Sequence, residues 1–201
     1  MNFQRKASSR LFLVNKYTNR VLLENNNIRL RAVEPEDLDL LYAWENNSQL
    51  WDVGNTRNPY SKFILKQYIS QCDQDIYESK QLRLMIVSVK TGDTVGTVDL
   101  FDFDIHHSRI ALGLFVDSAF QGNGFAKESL KLVEDYIFGY LKINQLYCHI
   151  STDNKASINM FEQENFEKSC LLKQWIKTAN GFEDIILFQQ FRDNYLQNKQ
   201  V

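Results

Sequence analysis

Between Leu114 and Ala126 the chain reads Leu-Phe-Val-Asp-Ser-Ala-Phe-Gln-Gly-Asn-Gly-Phe-Ala. An apolar run enters a polar turn, and Gly122 and Gly124 then open a pattern of helical period. Glycine adopts positive φ without steric cost, so such a turn can fold its backbone amides to one side. The first turn of the helix behind it adds N–H groups with no intrahelical partner and the positive end of the macrodipole. That arrangement holds a phosphate or pyrophosphate. Two readings stand at this point: a cradle for a phosphorylated cofactor, or a strand-to-helix loop whose glycines serve only a tight turn. Two familiar phosphate motifs do not fit. A dinucleotide fingerprint needs a third glycine, after the first strand of a parallel sheet. A P-loop needs Lys-Ser/Thr after its last glycine, where this chain has Phe125-Ala126.

A second group of reactive side chains lies just upstream. Asp99, Asp102 and Asp104 alternate with Phe101 and Phe103 and lead into His106-His107-Ser108-Arg109. The histidines do not read as metal ligands, because neighbours on an extended segment point to opposite sides and no Cys/His/Asp spacing completes a tetrahedral set. Cys72, Cys148 and Cys170 are too few and too scattered for a disulfide frame, which fits a reducing cytoplasm and the role of small buried apolar residues.

These groups must be positioned by one large α+β domain. The 201 residues suffice for a sizeable core, and a formal charge of −2 offers no basic field for nucleic acid. No apolar run approaches the ~20 residues of a membrane span. Residues 1–26 mix Arg5, Lys6, Arg10, Lys16 and Arg20 with scattered apolar residues, lack a continuous apolar targeting core, and read as an N-terminal extension. Strands are expected at Ile28–Val33, Gln81–Val89, Thr94–Asp102, Ile110–Val116 and Gln145–Ser151, with a closing hairpin of Lys168–Lys177 and Phe182–Phe191. Gly96 inside its strand predicts a bulge or a close approach. Helices are expected after Pro35, over Ser61–Gln71, after Gly124 with Leu130, Val133 and Ile137 on the buried stripe, and over Asn154–Glu164. The domain is bounded as 27–192, with 193–201 a mobile polar tail.

Gln121-Gly-Asn-Gly124-Phe-Ala126 resembles the Gln/Arg-x-x-Gly-x-Gly/Ala signature of the GCN5-related N-acetyltransferases. Downstream, Asn154-Lys-Ala-Ser157-Ile-Asn-Met-Phe161-Glu-Gln-Glu-Asn-Phe166 is similar to that family's Asn-x-x-Ser-x-x-Leu-Tyr-Glu-Lys-x-Gly-Phe segment. Two motifs in the right order are far more specific than either. The resemblance implies a mixed, mostly antiparallel twisted sheet of about six or seven strands flanked by helices, two of whose central strands diverge around acetyl-CoA. It assigns Leu114, Phe115 and Val116 to the pantetheine arm, Gln121 to Ala126 to the pyrophosphate, and Asn154, Ser157 and Phe161 to the far wall. It also implies a homodimer, with an amine as acceptor. Trp51 and Tyr60 become candidate acceptor walls with Asp52 as a counter-charge to the amine, and the two rings closing the core beneath a loop are the alternative.

Acetylation of an amine needs a bound thioester, an uncharged nitrogen aligned with its carbonyl, and a route for the proton. Asp99 is the first candidate for proton acceptor or relay and for contact with the amine, and Asp102 is the second. Acids that merely cap a solvated strand end are the competing reading. Three departures from the family pattern matter. Its proton-donating tyrosine falls on Phe161, a glutamate that many relatives carry falls on Ala111, and the motif's glycine is Asn165, which tolerates the left-handed conformation. Ser157, Cys148 and His149 are the candidate substitutes for the missing acid, although a histidine on an alternating strand is more often packed or superficial. The stretch from Gly96 to Leu114 looks like that of the spermidine/spermine N-acetyltransferases, but their acidic pair before Pro-Tyr is Arg57-Asn58 here, and the ribosomal-protein N-terminal acetyltransferases and antibiotic-modifying relatives share the same skeleton. The leading expectation is a working, slow N-acetyltransferase. The alternatives are a non-catalytic acyl-CoA-binding module and an interaction protein that docks through its basic N-terminal arm.

Overall fold

Period-two alternation builds the sheet, and helices of opposite polarity patterning cover its two faces. The computed structural model of the chain describes residues 22–48, 51, 58–72, 75–178 and 181–199. Expectations for most of the N-terminal extension, for Asp52 and Arg57, and for Ala179-Asn180 concern positions outside the described residues. Strand β1 (Ile28–Ala32) leads through a 3-10 turn at Pro35–Asp37 into α1 (Leu38–Glu45). There follow α2 (Lys62–Ser70), the short α3 (Ile76–Ser79), β2 (Leu82–Ser88), β3 (Thr94–Asp104) and β4 (Arg109–Val116). Helix α4 (Phe125–Glu134) continues as a π-helical turn over Asp135–Tyr140, and β5 (Gln145–Ser151), α5 (Lys155–Gln163), β6 (Glu167–Thr178), β7 (Gly181–Phe191) and α6 (Arg192–Asn198) complete the chain.

The seven strands lie in the order β1-β2-β3-β4-β5-β7-β6. Every neighbouring pair is antiparallel except β4 and β5, which run parallel. This is the α+β sheet expected from the pattern of elements. Leu84, Ile86, Val98, Leu100, Ile110 and Leu112 share the main core with Leu130, Val133 and Ile137 of the α4 segment. Met85, one residue out of phase with its neighbours, turns to the other face and packs with Val33 and Leu41 beneath α1 and α2. Gly96 makes the predicted close approach: a Cβ there would lie 2.1 Å from the Phe115 carbonyl oxygen. The β2–β3 register shifts beside it, between Ile86 and Val87.

Three expectations need correction. The segment after Arg192 is helical, and Tyr195 is only 9 % exposed, its hydroxyl donating to Asp135 Oδ1 at 2.7 Å. A single aromatic in a polar run carries no periodicity, so only the docking site on the π-helical turn reveals this helix. Cys170 is exposed rather than buried, because it lies on β6, the outermost strand. His106 and His107 occupy a turn instead of an extended segment, and their rings meet edge to face at 4.7 Å.

Candidate active site

The gap between β4 and β5 organises the site. The two strands pair only from Arg109 to Ala111 on one side and from Gln145 to Tyr147 on the other. Beyond that point β4 stays bound to β3 through Val116, while β5 stays bound to β7 through Ser151. Every second residue of Leu112–Val116 therefore turns its N–H and C=O toward the gap rather than toward a neighbouring strand. Leu114, Phe115 and Val116 are all partly exposed there. The far arm of the gap leads from β5 into the start of α5.

At the end of β4 the chain makes the turn expected to hold an anion. Gly122 and Gly124 have φ of 79° and 81°, and Gly124 is the N-cap of α4. No side chain caps that helix, so its first N–H groups point outward without a protein partner. The polar side chains of the turn brace it from behind. Gln121 Nε2 donates to the Val116 carbonyl at 3.0 Å, and Asn123 Nδ2 donates to the Phe120 carbonyl at 3.0 Å. A Cβ at either glycine would meet nothing within 4 Å, so space lies open before the turn and the glycines serve conformation rather than room. A free strand edge beside an uncapped helix start fits an elongated co-substrate with a diphosphate.

On the far arm, Asn154 Oδ1 accepts from the Ser157 N–H at 3.1 Å and caps α5. Ser157 is partly buried, and Phe161 is 4 % exposed, packed edge-on against Phe166 at 4.9 Å. Asn165 takes the left-handed φ of 64° that the motif's glycine would supply. Cys148 faces the main core, where burial pushes its thiol well above the usual range.

The opposite face of the sheet, beneath α1 and α2, gathers the polar groups. Register places Asp99 opposite Gly113 and Arg83, and Phe101 opposite Ala111, which in turn pairs with Tyr147. Arg83 bridges two carboxylates, with Nη1 donating to Glu45 Oε1 at 2.6 Å and Nε donating to Asp99 Oδ1. Its guanidinium lies over the Tyr68 ring at 5.5 Å. Burial alone would weaken its charge, but Asp99 and its neighbours outweigh burial and hold its pKa above the ordinary value. Thr97 Oγ1 donates to the other Asp99 oxygen at 3.3 Å.

Asp102 is exposed, at a register break between Phe101 and Asp104, with a φ of 50°. It acts electrostatically on Tyr147 and His149 of β5. Partial burial holds the His149 imidazole below its usual pKa, and Asp102 works in the opposite direction.

Trp51 donates through Nε1 to the Glu45 carbonyl at 2.9 Å, and Tyr60 is clipped to the end of α1 by Asn46. The Trp51 ring and the Tyr60 backbone are thus tied to α1, the helix that supplies Glu45. Sequence reasoning missed Trp44, Glu45, Tyr68 and Arg83. Trp44 donates to Asp117 Oδ2 at 2.7 Å and stands edge-on to Phe115 at 5.1 Å, so α1 buttresses the end of β4. Arg83 carried a usable signal: a charge inside an otherwise apolar strand requires a partner. A separate cavity of about 510 Å³, lined by residues such as Val33, Leu38, Lys66 and Cys72, includes none of the residues of the gap. Among the described residues no group of three or more His, Cys, Asp or Glu could hold a metal ion. No helix of the described residues is long and apolar enough to cross a membrane.

A diverging parallel strand pair beside a glycine turn and an uncapped helix defines an α+β protein with an open slot between two central strands. Residues 27–167 match the family described as acetyltransferase (GNAT) domain, and the chain belongs to that family. It is similar to the spermidine N(1)-acetyltransferase of Escherichia coli (strain K12), with 25 % identity over 171 residues covering 85 % of this chain and 89 % of that protein. It is similar also to an uncharacterized N-acetyltransferase, p20, of Bacillus licheniformis, with 24 % identity over 174 residues covering 86 % and 97 % of the two chains. Among solved structures, the spermidine N-acetyltransferase of Vibrio cholerae in complex with CoA and spermine superposes with a TM-score of 0.77 at 21 % identity, covering 86 % of this chain and 99 % of that one. A dodecameric structure of the Vibrio cholerae enzyme gives a TM-score of 0.73 at 21 % identity, covering 87 % and 99 %. The chain is an N-acetyltransferase that takes its acetyl group from acetyl-CoA and transfers it to an amine.

Proposed function

We propose that the acceptor is a primary amine, either a polyamine-like small molecule or a peptide N-terminus, and that the acetyl group passes directly to it in a ternary complex. The observation that carries this reading is the opposition across one gap. A positive helix start and free strand edge lie on one side, and carboxylates of β3 lie on the face beyond it. Leu114, Phe115 and Val116 would hold the pantetheine arm and the amides of Gln121 to Ala126 the diphosphate, with Asn154, Ser157 and Phe161 closing the far wall. Acetyl-CoA supplies the activated acyl carbon; the protein's task is alignment, and alignment of two reactants carries much of such a rate.

Trp51, Asp52 and Tyr60 would wall the acceptor. Asp99, with one oxygen engaged by Arg83 and the other by Thr97, is suited to a fixed counter-charge for an ammonium group. Asp102 is the carboxylate left to the proton path. The names of the spermidine-acetylating relatives support a polycation, while Arg57-Asn58 in place of their acidic pair weighs toward a shorter or singly charged amine. Phe161 has no proton to give, which predicts slow turnover with solvent protonating the thiolate. The same residue supports a second reading, a non-catalytic acyl-CoA-binding module. We place the enzyme in the cytoplasm as a homodimer of the 27–192 domain; the dodecameric Vibrio cholerae relative supports self-association but not that number of subunits.

The test is CoA release with saturating acetyl-CoA across a panel of polyamines, monoamines and peptide N-termini. Turnover confined to one class names the acceptor. Tight CoA binding with no release from any amine refutes the transferase reading in favour of the binding module.

A further inference from the structure

The acceptor amine must lose a proton, and Asp99, the first group considered for it, is poorly free to take one. Asp99 is committed to Arg83 and Thr97. Ala111 offers only a methyl group. Across the gap, β5 leaves β4 after Tyr147, and the next residue on the same face is His149, which is exposed. We propose that His149 is a catalytic residue, the group that takes the acceptor's proton, and that Asp102 is its electrostatic partner from the bulge of β3.

This inference rests on the acetyltransferase reading, and three features of the face support it. Pairing of β4 with β5 stops at Tyr147, two residues before His149, so its imidazole stands at the mouth of the gap rather than over a closed sheet. On this face β4 carries only Ala111 and Gly113 between β3 and the start of the gap, so side chains can converge above it from both neighbouring strands. Third, the register break between Phe101 and Asp104 leaves Asp102 exposed on a bulge with a left-handed backbone, a conformation aspartate adopts more readily than most residues. Bulges of this kind re-aim a side chain, and here the carboxylate acts on Tyr147 and His149.

Around His149 stand Asp102 of β3, Tyr147 of its own strand at 5.8 Å between ring centroids, and the apolar Leu187 paired with it on β7. Arg109 and Asp104 reach this group only through Tyr147. Partial burial keeps the imidazole neutral and able to accept a proton near neutral pH, and Asp102 steadies the imidazolium once formed. An ammonium proton passes to an imidazole nitrogen of His149, the freed nitrogen lone pair forms the bond to the acetyl carbon, and the carbon–sulfur bond breaks. The thiolate takes one proton from solvent, and the nitrogen's surplus proton and that on His149 leave to bulk water.

The experiment has two arms. In the ligand-free protein, NMR titration follows the three histidines, with the His149 signal assigned by its loss in His149→Gln. His149 is expected to titrate below 6.5, and Asp102→Asn, which keeps the left-handed backbone accessible, is expected to move it lower still. In the loaded enzyme, His149→Gln is expected to reduce kcat by about 100-fold. CoA affinity should stay within about twofold of wild type, a change of roughly 0.4 kcal/mol. The acid limb of kcat/KM should disappear in His149→Gln and shift downward in Asp102→Asn. An unchanged His149 titration in Asp102→Asn, a His149→Gln variant with near-normal kcat, or parallel loss of CoA binding overturns the inference. Absence of turnover in the wild type with every amine refutes the acetyltransferase reading instead, while the ligand-free titration still decides whether Asp102 and His149 are coupled.

Discussion

Gly124 offers a test in which conformation can be separated from space. Its φ is 81°, and a Cβ built on it meets nothing within 4 Å, so alanine at this position would collide with no neighbour. The whole cost is that of holding an L-residue in the left-handed region, about 1–2 kcal/mol. Two responses are open to Gly124→Ala: keep the turn at that cost, or relax to negative φ and swing the amides at the start of α4 away from the gap. If the turn relaxes, the binding-competent conformation becomes less populated by roughly 5–30-fold, and CoA affinity should fall by a similar factor. If the strain is retained in the free protein, affinity should hold and melting should drop instead, by about 2–8 °C for a domain of this size. Gly124→Asn supplies the control, because asparagine enters this region far more readily than alanine. Isothermal titration with CoA and calorimetric melting measure both quantities. Wild-type affinity and melting in Gly124→Ala, or equal damage by Ala and Asn, would refute the argument from backbone conformation.

Further substitutions probe the surrounding frame. Gly96→Ala is the steric counterpart, since its Cβ would lie 2.1 Å from the Phe115 carbonyl oxygen. Overpacking of this kind costs about 1–3 kcal/mol, and because it pushes on the end of β4 it should weaken CoA binding along with lowering the melting temperature. Arg83→Met leaves Glu45 and Asp99 without their shared cation. With those side chains 20–29 % exposed, a loss of roughly 2–3 kcal/mol in urea unfolding is expected, below the ~3–5 kcal/mol of fully buried pairs. Adding Asp99→Asn should recover part of that loss. Glu134 tests linkage: burial, helped by the Glu164 carboxylate, raises its carboxyl from 4.5 to about 8, so the native state retains a proton that the unfolded chain releases. Its contribution to stability is complete below 4.5 and is lost as pH rises through about 8, and Glu134→Gln should flatten melting temperature against pH across that window. Phe161→Tyr restores a hydroxyl at the position of the family's usual acid. A rise in kcat with little change in melting would indicate an otherwise competent site, whereas unchanged turnover would count against the missing acid as the cause of slow chemistry.

Local patterns were enough to read the strands, the main helices and the glycine turn. Alternation in Ile28–Ala32 and the helical stripe of Leu130, Val133 and Ile137 each reflect a periodicity that the backbone itself imposes. Positive φ at Gly122, Gly124 and Asn165 was legible for the same reason, since few residue types tolerate it. Tertiary structure alone decided which distant groups meet. No local rule says that Arg83 spans Glu45 and Asp99, that Trp44 braces the end of β4, or that Tyr195 turns a polar tail into a docked helix. Those partners are separated by long stretches of chain, and their contacts exist only because the sheet order and register bring them to one face. The divergence of β4 from β5 belongs to the same category. Each strand looks ordinary in sequence, and the gap between them arises from where their pairing stops.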